Sequence, residues 1–200
     1  MSRSRLSGCR FEPLTDDRWD DFAELFGPRG GVGGCWCMWW RVKKRSDWNR
    51  DKGGANKRKF RKVVRDGAEP GVLAYHEGRA IGWCAVARRE EYPSLERSRV
   101  AARVDDKPVW SVSCLFIHKD HRRCGLSVAL LKAAADFVRE RGGTIVEGYP
   151  VIPKKVEMPG VFAFTGLYAA FERAGFKEVA RRSETRAVMR KGVRSRVGPR

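Results

Sequence analysis

One continuous run, Val109 to Arg141, limits what this chain can fold into more than any other feature. Val109–Ile117 is apolar and rich in β-branched residues, the composition of a strand. It leads through a polar turn, His118 to Gly125, directly into a helical pattern. There Leu130, Leu131, Ala134, Phe137 and Val138 recur at three-and-four spacing, and Gly142-Gly143 ends the run. A strand feeding a helix in this way places the chain in the mixed α/β class. Backbone N–H groups at the helix start, together with the helix dipole, make an anion site suited to a pyrophosphate. Gly125 stands where the backbone must approach most closely, and Arg122 and Arg123 add positive charge.

The rest of the chain supplies the elements around that unit. Arg10–Leu14 reads as a first strand. Thr15 is placed to cap a helix carrying Trp19, Phe22, Ala23, Leu25 and Phe26, which stops at Gly27-Pro28. A Gly-rich turn follows at 29–34, but no Lys-Ser/Thr comes after it, so it is no phosphate loop of the P-loop kind. Ser46 is placed to cap a short helix, and Gly53-Gly54 separates it from a second one carrying Phe60, Val63 and Val64. Val72–Tyr75 and Ala80–Ala87 flank a polar turn as a hairpin. Residues 88–108 read as a long exposed connection, a possible lid. Thr144–Val146 begins a strand that runs toward Tyr149, and a Pro-interrupted loop spans 151–160. Residues 166–174 form a short helix, and 176–180 and 187–189 form two closing strands. One domain is expected over 9–190, with a basic tail at 191–200 that frays.

Composition narrows the function classes. The net charge of +18 predicts attraction to anions such as nucleic acid or phosphorylated cofactors. Much of it lies in 41–65, where twelve Lys or Arg residues face only Asp47 and Asp51. No apolar stretch is long enough for a spanning helix, and the basic N-terminus lacks the apolar region of a secretory signal, so no membrane partner is expected. The six scattered cysteines fit reduced thiols in a cytoplasm. Cys35-Trp36-Cys37 has no second ligand pair at zinc spacing, so no metal is expected. Cys35 to Trp40, with three tryptophans, is either a core segment or an aromatic wall of a ligand pocket formed by Trp36, Met38, Trp39 and Trp40.

The stretch Leu115-Phe116-Ile117-His118-Lys119-Asp120-His121-Arg122-Arg123-Cys124-Gly125-Leu126-Ser127 resembles the acetyl-CoA signature of the GNAT acetyltransferase superfamily. That signature, Gln/Arg-x-x-Gly-x-Gly/Ala, is matched by Arg122, Gly125 and, imperfectly, Ser127. Phe171-Glu172-Arg173-Ala174-Gly175-Phe176 is similar to the superfamily's later helix-to-strand motif, and the order of elements agrees over about residues 9–190. The resemblance implies a central twisted mixed sheet of about six to seven strands flanked by helices and splayed between strands four and five. It implies a cytoplasmic acyl-CoA-dependent N-acyltransferase, a monomer or homodimer, that moves an acetyl group from acetyl-CoA to a primary amine in a ternary complex. Backbone groups from Arg122 through Arg123, Cys124, Gly125 and Leu126 to Ser127 would hold the pyrophosphate. Leu115, Phe116 and Ile117 would lie along the pantetheine, with the Leu115 N–H polarising the thioester carbonyl.

Two positions depart from the superfamily's pattern. Phe171 stands where many members carry a tyrosine acid, leaving Tyr168, one turn earlier, as an acid or a packing residue. Ser111 stands where some members carry a glutamate base. Glu147 is then the nearest carboxylate, either a base acting on the amine or a structural group, and His118 is the other titratable candidate. The competing expectation is a basic binding protein that keeps the fold and associates with nucleic acid or ribosomes through 41–65.

Overall fold

The computed structural model describes residues 6–154 and 160–194. Its strands are β1 (Arg10–Pro13), β2 (Gly71–His76), β3 (Arg79–Arg88), β4 (Trp110–Ile117), β5 (Ile145–Gly148), β6 (Lys177–Ser183) and β7 (Arg186–Gly192). Its helices are α1 (Trp19–Phe26), α2 (Arg45–Arg50), α3 (Gly54–Arg65), α4 (Leu126–Glu140) and α5 (Tyr168–Arg173). The strands make one mixed sheet in the order β1-β2-β3-β4-β5-β7-β6. Only β4 and β5 are parallel neighbours, and α4 is their crossover.

Each face of the sheet is covered because the apolar patterns leave each face a different partner. Leu126, Leu130, Leu131, Ala134, Phe137 and Val138 of α4 pack with Val72, Ile81, Cys84, Val112 and Val146, and α5 joins through Ala170 and Phe171. Burying each such Leu is worth roughly 1.5–3 kcal/mol. Gly82 sits where α4 crosses β3: a Cβ there would meet Leu130 at 3.0 Å and Leu126 at 3.1 Å. The opposite face carries α1 and α3, whose Trp19, Phe22, Phe26, Phe60 and Val64 pack on Leu73, Tyr75 and Trp83.

Several local expectations change. Thr15 makes no side-chain capping bond; its hydroxyl instead accepts from Arg18 Nη1 at 2.7 Å. Helix α2 starts one residue before Ser46. The segment 88–108 is no exposed lid, because Tyr92, Leu95 and Ala101 are buried with Tyr149 and Val188 in a core of their own. Arg89 organises it. This guanidinium is only 1% exposed, and its donors reach Glu96 (2.9 Å), the Tyr149 hydroxyl (2.7 Å), Glu147 (3.3 Å) and the Ala101 carbonyl (2.8 Å). A buried guanidinium needs several acceptors, and the chain wraps around it to supply them. At the other end β7 takes Arg190–Gly192 into the sheet, and residues 195–200 of the expected tail lie outside the described residues.

Candidate active site

Strands β4 and β5 separate soon after they meet. Their pairing covers only Trp110–Val112 against Val146–Gly148, which leaves Ser113–Ile117 without a strand on that side. A bulge marks the divergence: on the β3 side the register slips between Ala85/Cys114 and Val86/Val112. The Leu115 N–H donates to the Phe164 carbonyl at 2.6 Å, and the Trp40 indole N–H donates to the Ser113 carbonyl at 3.1 Å.

The separation opens into a cleft of about 520 Å³. Leu115, Phe116 and Ile117 line it along β4, and Arg122 and Ser127 line it where the turn enters α4. Gly125, the residue before α4, is left-handed at φ +89°, and Arg123 is also positive at φ +60°. This path brings the chain round so that the N–H groups of Gly125, Leu126 and Ser127 find no acceptor among the described residues. They are the free donors that a helix start offers an anion. The Leu126 side chain is in the core, and the Cys124 thiol donates to the His121 carbonyl at 2.8 Å, so each has its side chain turned to the protein and only its backbone left for a ligand. Phe171 is fully buried behind the cleft; a Cβ at Gly166 would meet its ring at 2.6 Å and Leu115 at 2.9 Å.

The other end of the cleft is aromatic, and here the expected pocket is redistributed. Cys35–Trp40 forms turns in which Trp36 and Cys37 have positive φ, +46° and +55°. That reversal turns Trp36 and Met38 into the α1 core, where Trp36 stacks on Phe26 and Trp19. Trp39 lines the cleft, and Trp40 lies beside it against Phe164. Trp48, Phe26 and Val32 complete the wall. Sequence reasoning missed Trp48, whose only signal was an indole inside a highly basic helix. Cys35 and Cys37 also line the cleft. Burial pushes the Cys35 thiol up to about 11, and neighbouring Cys37 adds to the effect. Burial likewise raises Cys37, so both stay protonated at neutral pH and are poor nucleophiles.

The three expected proton carriers lie outside this cleft. Glu147 is 1% exposed. One carboxylate oxygen accepts from the Tyr149 hydroxyl (2.7 Å) and Arg89, the other from Arg190 Nε (2.7 Å). Since Tyr149 donates to Glu147, the Ser111 hydroxyl, 2.8 Å away, donates to Tyr149. Glu147 is therefore the hub of a buried ion network, because both oxygens are needed to neutralise two guanidinium groups. Tyr168 turns toward β6, where hydrogen bonding to Glu178 raises its phenol. His118 is on the surface with Nδ1 3.5 Å from Asp120, and its ring neighbours His121, which in turn neighbours His76. All three histidines of the chain thus gather beside the turn.

Many cations of 41–65 are engaged within the molecule. Arg41 pairs with Glu91, Arg50 and Lys59 with Asp51, Arg61 with Asp16, and Lys62 with Asp66. Arg45, Lys52 and Lys57 lie over the rings of Trp39, Trp48 and Trp36. Among the described residues no helix is long and apolar enough to cross a membrane.

Comparison with known proteins bears on this arrangement. A family model described as the acetyltransferase (GNAT) family matches residues 34–148. No curated protein matches the sequence. Among solved structures, an acetyltransferase of the GNAT family from Streptococcus agalactiae has TM-score 0.55 at 12% identity, covering 94% of this chain and 97% of that one. One from Listeria monocytogenes has TM-score 0.54 at 8% identity, over 92% and 95% of the two chains. The PaiA N-acetyltransferase from Thermoplasma acidophilum, in complex with coenzyme A, has TM-score 0.51 at 12% identity, over 92% and 99%. At such identities the likeness is one of fold.

Proposed function

Because this chain belongs to the GNAT acetyltransferase family, we propose that it transfers an acetyl group from acetyl-CoA to a primary amine by direct attack within a ternary complex. One observation carries this reading. The open edge of β4 and the free N–H groups at the start of α4 border one continuous cleft. An extended chain with an anion at one end fits that shape: backbone pairing along Ser113–Ile117, and a pyrophosphate on Gly125, Leu126 and Ser127. Arg122 lines the same stretch and adds charge, while its Nε holds the Ile117 carbonyl at 3.1 Å. Coenzyme A is such a molecule, and the complex of the Thermoplasma acidophilum neighbour supports the assignment.

The Leu115 N–H lies past the bulge, midway along the open edge, and would polarise the thioester carbonyl. For that it must exchange the Phe164 carbonyl for the substrate oxygen. Two cleft thiols, Cys35 and Cys37, are held protonated, which favours direct attack by the amine over an acyl-cysteine intermediate. The test is thermal stabilisation by CoA and acetyl-CoA, followed by thiol release in the presence of amines. Stabilisation and amine-dependent release are expected; no stabilisation by either thioester or thiol would remove the reading.

A further inference from the structure

Resting on the acetyl-transfer reading above, we propose that the acceptor is a flat aromatic amine bearing an anionic group, its nitrogen already uncharged at neutral pH. The acceptor end of the cleft is walled by Phe26, Val32, Trp39, Trp48 and Phe116. Trp39 and Trp48 meet edge to face, 4.8 Å between centroids at 89°, and form a corner that a planar ring fills on two sides.

Two cations flank that corner. Arg45 lies over the Trp39 ring and Lys52 over the Trp48 ring, each 4.6 Å from the centroid. Arg122, at the opposite end beside the turn, is the charged residue among those lining the cleft, and no Asp, Glu or His lines it among the described residues. Such a potential repels an ammonium and attracts a carboxylate. The Trp48 Nε1–H is buried and lies beside the Cys35 thiol, a weak acceptor.

The same surroundings decide which amine can react. An alkylammonium must lose a proton before it attacks, and neither a carboxylate nor an imidazole borders the cleft among the described residues. An aromatic amine has its lone pair free at neutral pH and needs no base. Its nitrogen attacks the thioester carbonyl carbon, the C–N bond forms, and the C–S bond breaks. One N–H proton leaves for the departing thiolate, directly or through water. Arylamine and acetyl-CoA thus give aryl acetamide and free CoA thiol.

The experiment uses the full chain with acetyl-CoA and four probes: 3-aminobenzoate, aniline, 3-(aminomethyl)benzoate and benzylamine. Thiol release reads turnover, and thermal shift with acetyl-CoA is read in parallel. The expected order puts 3-aminobenzoate first, ahead of 3-(aminomethyl)benzoate by at least about tenfold in kcat/KM, the step that about 1.4 kcal/mol of discrimination gives. Its lead over aniline should shrink with added salt and in Lys52→Gln. Equal or better turnover of the aminomethyl compounds overturns the proposal and leaves acetyl transfer standing. So does thermal stabilisation by acetyl-CoA with no release from either arylamine. Absence of both stabilisation and release removes the acetyl-transfer reading itself.

Discussion

The Leu115 N–H and the Phe164 carbonyl are joined by a 2.6 Å hydrogen bond across the gap between β4 and the segment before α5. The donor proposed for the thioester is therefore already occupied within the chain. On the proposed reading, acetyl-CoA replaces one acceptor by another. Hydrogen exchange should accordingly slow little at Leu115 when acetyl-CoA binds, while peptides covering Phe164–Gly166 should exchange faster. Unchanged exchange in both, with acetyl-CoA bound, would show that the thioester oxygen goes elsewhere.

The turn into α4 offers a second test. Gly125 adopts φ +89°, where an L-residue is strained by about 1–2 kcal/mol. Gly125→Ala should fold with Tm lower by about 4 °C and with weakened CoA binding. Gly125→Glu adds bulk and a negative charge at the proposed pyrophosphate position, and should abolish stabilisation by CoA. A folded Gly125→Glu protein that CoA still stabilises fully would remove the turn from the binding site.

Glu147 distinguishes a structural carboxylate from a catalytic one. Glu147→Gln leaves Arg89 and Arg190 undercompensated, so it should cost about 3 kcal/mol and roughly 10 °C in Tm. Replacing Arg89 and Glu147 together by Leu should cost less than removing either alone. Well below its melting temperature, Glu147→Gln should keep thiol release near that of the unaltered protein. A loss of about 100-fold or more, with CoA affinity intact, would instead mark it as a general base.

The cleft thiols provide a pH test. Burial raises Cys35 from 9.0 to about 11, so the folded protein holds its proton where an open thiol has begun to ionise. Alkylation of Cys35 at pH 8 should then be about 100-fold slower than that of a free thiol, because thiolate fraction falls tenfold per unit of pKa. The rate should climb steadily as pH rises toward 11 and fall when a ligand fills the cleft. Mass spectrometry of the Cys35 peptide reads both; fast labelling at pH 8 would contradict the raised value.

What was legible in the sequence had a period or a motif. The run from Val109 to Arg141 repeats apolar residues at strand and helix spacing, and Gly125 falls at the left-handed position immediately before α4. The hairpin of β2 and β3 was legible for the same reason. What was not legible depends on partners far along the chain. Nothing near Arg89 announces that its acceptors are Glu147 and Tyr149, 58 and 60 residues away, so 88–108 read as exposed. Nor does alternation along β5 reveal that Glu147 has both oxygens engaged. Cys35–Trp40 carried no period because it is a set of turns, with positive φ at Trp36 and Cys37, and Trp39 is the indole of that segment that lines the cleft. Trp48 and the three gathered histidines are juxtapositions of tertiary structure.

The open edge of β4 has a consequence for the protein between turnovers. Ser113–Ile117 presents a row of amide groups that any extended polypeptide can pair with, which makes it a template for aggregation or strand exchange. Two contacts blunt it: the Phe164 carbonyl on one N–H, and the Trp40 indole on one carbonyl. The indole belongs to the Cys35–Trp40 turns and the carbonyl to the approach to α5, so two distant segments act as gatekeepers of one exposed strand. The same amides proposed to recruit a substrate are thereby kept from recruiting a neighbour.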